Sequence, residues 1–180
     1  MATRASLSLG DHAPSFSLPG VDGKTYSVTG FADSVALVVI FSCNHCPYVQ
    51  AYEERLVAIQ RDYAGRRVQV VAINSNDDTN YPEDSFAEMV KRARTKGFNF
   101  PYLRDASQDT ARAYGATHTP QLFVFDRERR LVYTGKIDDN WQQPQAATHH
   151  YLRDALDAIL TDTAPTVPIT HAIGCTIKWA

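Results

Sequence analysis

Several things a sequence of this size could carry are missing or scarce. Charge of one sign is not in excess: 18 Lys and Arg stand against 20 Asp and Glu, for a formal net charge of -2. That balance excludes the phosphate-neutralising field that a nucleic-acid partner requires. Long apolar runs are also missing. The longest, Val35 to Phe41, is far short of the ~20 residues of a membrane-spanning helix, so no membrane partner is expected. The first ten residues carry Arg4 but no apolar stretch of signal-peptide length, which sets the expectation of a cytoplasmic chain. Cysteine is scarce, with three in the whole chain. In a reducing compartment three cysteines cannot form a structural disulfide framework, so reactive chemistry, metal binding or inert burial must account for them. There is no internal repeat and no low-complexity run.

What is present is ordinary globular material. An apolar fraction of 44% and a charged fraction of 21% over 180 residues suit a single domain over 1–180, with a core of about 12–160 and a tail over 161–180. Phe16 to Ser27, broken by Pro19-Gly20 and Asp22-Gly23, reads as an N-terminal hairpin. Val35 to Phe41 is continuously apolar and β-branched, as expected of a central strand buried on both faces. Val49, Tyr52, Leu56, Ile59 and Tyr63 then recur at helical spacing, with Gly65 placed to end the helix. Val68 to Asn74 returns as a strand, completing a right-handed βαβ crossover.

Beyond the crossover, a helix is predicted over about Pro82 to Lys96, acidic first and basic last, in accord with the helix dipole. A short strand near Phe100 to Leu103, a helix over Ser107 to Tyr114, and a hairpin of Gln121 to Phe125 with Leu131 to Lys136 follow. Leu152, Ala155, Leu156 and Ile159 define a last amphipathic helix, and Pro165 and Pro168 force an extended tail. The polar run Asn74 to Asn80 lacks the Gly and Glu spacing of a calcium-binding loop and reads as a solvated insertion. His118, His149 and His150 read as structural or solvated, and Trp141 and Trp179 as packing residues.

The chemistry concentrates in Ser42-Cys43-Asn44-His45-Cys46-Pro47. A strand ends and a helix begins there, so unsatisfied N–H groups and the positive end of the dipole favour Cys43 as a thiolate. Two intervening residues let one helical turn bring the sulfurs together. His45, with Asn44 beside it, stands where an imidazolium would lower the pKa of Cys43 further. The redox reading requires the sulfurs to be close and Cys43 to be open to solvent. Thr119-Pro120, before an apolar strand, suggests a cis peptide in a tight turn.

Strand, CxxC at a helix start, second strand, then Thr119-Pro120 opening a hairpin and a final helix resemble the thioredoxin superfamily over about residues 12 to 160. The Pro14 to Gly23 hairpin and the Pro82 insertion resemble its redoxin branch, which includes the AhpC/TSA peroxiredoxins and the TlpA-type oxidoreductases. Cys43-Asn44-His45-Cys46-Pro47-Tyr48-Val49 and the terminal Gly174-Cys175-Thr176-Ile177-Lys178-Trp179 are similar to a peroxiredoxin-like subgroup there. The resemblance implies an α/β thioredoxin-like fold, with a central mixed β-sheet flanked by helices. It also implies a thiol-disulfide oxidoreductase in which Cys43 attacks, Cys46 resolves and the Thr119-Pro120 backbone docks the substrate strand. Its partners would be protein or small-molecule disulfides and a cellular dithiol reductant, with no cofactor and no metal. Ser42 replaces thioredoxin's Trp, and no acid on the Val35 to Phe41 strand offers a buried proton acceptor.

Two other readings start from the same sulfurs. A peroxiredoxin-like peroxidase would use Cys46 or Cys43 on peroxide. Aligned on Cys46, however, the Thr slot of the peroxidatic motif holds Cys43, the Pro slot holds Val39, and Pro120 replaces the later Arg. A metal-binding module would gather Cys43, Cys46 and Cys175 with His171, but a single CxxC lacks the second paired half of a zinc site. Cys175 itself is either a buried small hydrophobe or a third redox thiol carried back to the CxxC by the tail.

Overall fold

The computed structural model describes residues 6–180. Its first elements are β1 (Ser17–Pro19) and β2 (Thr25–Ser27), an antiparallel hairpin. Gly23, at a φ of 82°, supplies the left-handed position the turn between them needs. The apolar run becomes β3 (Ala36–Ser42), in which every residue is buried. α1 (Pro47–Tyr63) follows, and β4 (Val68–Asn74) lies parallel to β3, from Ala36 opposite Val68 to Ser42 opposite Asn74. Gly65 is not the residue that turns the chain: it lies in a 3-10 turn, and Arg67 takes the left-handed conformation at a φ of 60°.

The helix expected over 82–96 divides in two. Pro82–Asp84 form a 3-10 turn. The extended Ser85 then caps α2 (Phe86–Lys96) by accepting the Glu88 N–H, and Gly97 ends it at a φ of 64°. The break lets the Asp84 side chain turn inward, where it is fully buried. The chain continues through β5 (Tyr102–Arg104), α3 (Asp109–Tyr114), β6 (His118–Thr119), β7 (Gln121–Phe125), β8 (Leu131–Gly135) and α4 (Tyr151–Leu160), and ends with β9 (Cys175–Thr176).

The main sheet has the order β5-β4-β3-β7-β8. β4 runs parallel to β3 and β5, whereas β7 runs antiparallel to β3 and β8. This is a mixed sheet with β3 at its centre and helices on both faces. On one face Val38 and Ile40 pack with Tyr52, Leu56, Leu152 and Leu156 from α1 and α4. On the other, Leu37, Val39 and Phe41 meet Tyr114 and Phe123. The alternation follows from the pleat, and burial of both faces is why the strand carries no polar residue until Ser42.

α1 is held to β4 by more than apolar contact. The Gln60 side chain donates to the Val68 carbonyl at 3.0 Å and accepts the Val70 N–H at 2.6 Å, so a side-chain amide fixes the helix against the strand backbone.

The run Asn74 to Asn80, expected to be solvated, is folded in along its first half: Asn74, Ser75, Asn76 and Asp77 are buried. The reason lies in the tail. Asn76 Oδ1 accepts the Lys178 N–H at 2.9 Å, and the Asp77 N–H donates to the Lys178 carbonyl at 2.7 Å. Buried polar groups of this kind persist only when satisfied, and the tail supplies their partners.

Candidate active site

Cys43 follows β3 directly, and Cys46, with extended backbone, is the residue immediately before the first turn of α1. Pro47 at the first helical position brings no N–H, and no side-chain hydrogen bond closes the helix end. The exposed N–H groups of that end are therefore nearest Cys46, not Cys43. The two sulfurs lie near each other, both against Thr119, so the expected proximity is found. The expected solvent opening is not, because Cys43 is 1% exposed and Cys46 0%.

The charge also falls on the other sulfur. A hydrogen bond given to Cys46 is the largest influence raising the Cys43 pKa, followed by burial, and the nearby Asp84 carboxylate adds to both. Cys46 is pulled down to about 4. The Cys43 thiol contributes most, burial opposes it, and the Cys175 thiol with the backbone N–H groups of Val49 and Cys175 completes the shift. Against the expectation of an ionised Cys43, its surroundings push its thiol up, while those of Cys46 favour the thiolate on the second sulfur. When Cys46 is protonated, its S–H has the Thr119 carbonyl oxygen at 3.4 Å to donate to.

Thr119 and Pro120 arrive at the site as expected, joined by a cis peptide. The Thr119 hydroxyl lies 3.4 Å from Cys43 Sγ, so this residue touches both sulfurs. Cys175 is neither a core hydrophobe nor distant. It is partly exposed, and its Sγ is 2.9 Å from that of Cys46, well inside the ~4 Å of ordinary packing contact. Burial and the neighbouring Cys46 push its thiol up to about 11, against the pull of the Lys178 ammonium.

The residues between the cysteines do structural work. The Asn44 N–H donates to Asp84 Oδ1 at 2.6 Å, its amide to the Glu83 carbonyl at 2.9 Å, and its Oδ1 accepts the Tyr102 hydroxyl at 2.8 Å. Asn44 thus anchors the loop. His45 stacks on Tyr81 and faces the Asp84 carboxylate through Nδ1.

Asp84 is the residue that sequence reasoning missed. Fully buried, it comes from the insertion forty positions downstream and supplies the carboxylate that β3 lacks. As an acid beside a helix start, it is indistinguishable in sequence from a partner of the helix dipole.

Among the described residues, the group with metal-ligand spacing is Cys43, His45 and Asp84, with ligand atoms within 4.8 Å of one another. It is not the expected set of Cys43, Cys46 and Cys175. His171 is exposed and lies beside His118 in a separate hollow. Both Asp84 oxygens already accept amide donors from Asn44, Asn74 and Asn76, which saturates the carboxylate an ion would need.

The family model described as Redoxin matches residues 8–150. Thiol-disulfide oxidoreductase ResA of Geobacillus thermodenitrificans is 22% identical over 138 residues, 74% of each chain. A hypothetical protein of Sinorhizobium meliloti superposes with a TM-score of 0.90 at 43% identity, over 97% of this chain and 96% of its own. Peroxidoxin BcpB of Mycobacterium tuberculosis, at 18% identity and a TM-score of 0.63 over 85% of this chain and 94% of its own, shares the fold.

Proposed function

Because this chain belongs to the redoxin family, as the match over residues 8–150 shows, and carries two interacting free thiols at the start of α1, we propose that it is a thiol-disulfide oxidoreductase working through the Cys43/Cys46 dithiol. The observation that carries the reading is the gathering of Cys43, Cys46 and Thr119 at the start of α1, with the Cys46 pKa drawn down by its neighbours. Thiolate is the form that attacks a disulfide.

Both sulfurs are sealed while β9 lies on β6, so β9 must first move aside; the Cys46 thiolate then attacks one sulfur of a substrate disulfide, whose other sulfur leaves as a thiolate and takes up a proton. Cys43 then gives up its proton to the second substrate sulfur as that sulfur departs. It attacks the Cys46 sulfur and releases the second substrate thiol, leaving a Cys43–Cys46 disulfide. A cellular dithiol, oxidised in turn, returns the two electrons. Thr119, in contact with both sulfurs, lies on the edge where an extended substrate segment would align.

A peroxidase reading would use the same Cys46 thiolate on an O–O bond. It has less support because the influences lowering the Cys46 pKa are thiols and backbone N–H groups, without the guanidinium the peroxidatic pattern supplies. The deciding experiment assays disulfide reduction and peroxide consumption for the wild type, Cys46→Ser and Cys43→Ser. Loss of disulfide reduction in Cys46→Ser, on the order of a thousandfold, with mixed disulfides accumulating on Cys46 in Cys43→Ser once Cys175 is also replaced by Ser, is the expected result. Rapid peroxide turnover with no disulfide reduction would replace the assignment with the peroxidase one.

A further inference from the structure

β9 lies antiparallel on β6, with Cys175 opposite Thr119 and Thr176 opposite His118. This is how an extended peptide adds to an open sheet edge. The approach is so close that only glycine fits at 174, since a Cβ there would collide with the Thr119 carbonyl. The segment is tied down on both sides. Upstream, the Thr170 N–H donates to the Thr134 carbonyl at 3.0 Å; downstream, the Ile177 N–H donates to the Thr117 carbonyl at 2.9 Å and Lys178 is gripped by Asn76, Asp77 and Gln108. A two-residue strand strapped between such anchors can lift without leaving the neighbourhood, which keeps its effective concentration high.

Resting on the reading of Cys46 as the redox-active thiolate, we propose that segment 174–177 is a tethered disulfide partner: Cys175 forms a disulfide with Cys46. Cys46 is then the shared sulfur of two mutually exclusive bonds, Cys43–Cys46 and Cys46–Cys175. After a substrate has been reduced and Cys43–Cys46 has formed, deprotonated Cys175 attacks the Cys46 sulfur. The Cys43–Cys46 bond breaks, its electron pair leaves on Cys43, and Cys43 takes the proton Cys175 gave up. No electrons are gained or lost in this step; the disulfide moves from two sealed sulfurs to one that is partly exposed.

One thiolate of an external cellular dithiol then attacks Cys175, displacing Cys46 as a thiolate. The second thiol of that reductant closes its own disulfide and releases Cys175 as a thiol, so that two electrons enter the protein. Substrate and β9 compete for the β6 edge, and the tail returns after each turnover to collect those electrons.

The test uses oxidised glutathione as the probe, with the remaining thiols alkylated and the linked peptides identified by mass spectrometry. Cys43→Ser should give the intramolecular Cys46–Cys175 link as its main product, and the wild type should give it as a minority beside Cys43–Cys46. Gly174→Val, which drives β9 off β6, should reduce the yield of the link by about tenfold. If Cys43→Ser instead carries glutathione on Cys46 while Cys175 stays alkylatable, or if Gly174→Val changes nothing, the tethered partner is overturned and the dithiol chemistry survives. If Cys46 is oxidised in no variant, the proposed function falls together with the tail's role.

Discussion

At the scale of single residues, the largest influence on Cys46 is the thiol of Cys43. Cys43→Ala removes that donor, so the Cys46 pKa should rise from about 4 toward its ordinary value. Thiolate ultraviolet absorbance followed against pH in the reduced protein reads this directly. The sign carries over to stability. A pKa lower in the folded state than in the unfolded chain gives stabilisation that is complete above the unfolded value and disappears as pH falls through the folded one. Reduced wild type should therefore lose thermal stability as pH drops through about 4, in a step that Cys43→Ala moves upward. The two sulfurs, Thr119 and Pro120 were legible in the sequence because spacing and residue type announce them. Which sulfur is charged was not. The apolar run stops at Phe41, but β3 continues through Ser42 and the helix waits for Pro47, a shift that moves the helix end from Cys43 to Cys46.

Among elements, those with a long period were readable and those without one were not. β3 and α1 carry enough apolar repeats to fix their type, and Gln121 to Phe125 with Leu131 to Gly135 form the expected hairpin. β6 and β9 are two residues each, too short to have a period, and their pairing is set by Gly174 and by anchors far away in sequence. α2 shows a finer loss of information, because its acidic start looked like one continuous helix from Pro82. The Ser85 cap and the inward turn of Asp84 separate the two pieces. Ser85→Ala should destabilise the protein by about 1 kcal/mol, measured by chemical denaturation. It should also slow disulfide reduction, because Ser85 directly follows Asp84, which holds the Asn44 loop.

For the molecule as a whole, the loop following β8 is locked to α1 by a buried ion pair. Arg55 donates to Asp138 Oδ2 at 2.7 Å and to the carbonyls of Asn140 and Trp141, and the Tyr52 hydroxyl donates to Asp138 Oδ1 at 2.8 Å. Trp141 in turn packs on Tyr48 beside the cysteines. Asp138→Ala strands the Arg55 charge and should cost about 3–5 kcal/mol of stability in urea unfolding. The position of β9 matters also for access to the dithiol. Every part of the sheet and both sulfurs of the CxxC precede residue 136, yet the cover over Cys46 comes from residues 174–177. β9 can leave without dismantling the main sheet, and Gly174→Val, which displaces it, should open Cys46 to a maleimide reagent that the wild type excludes.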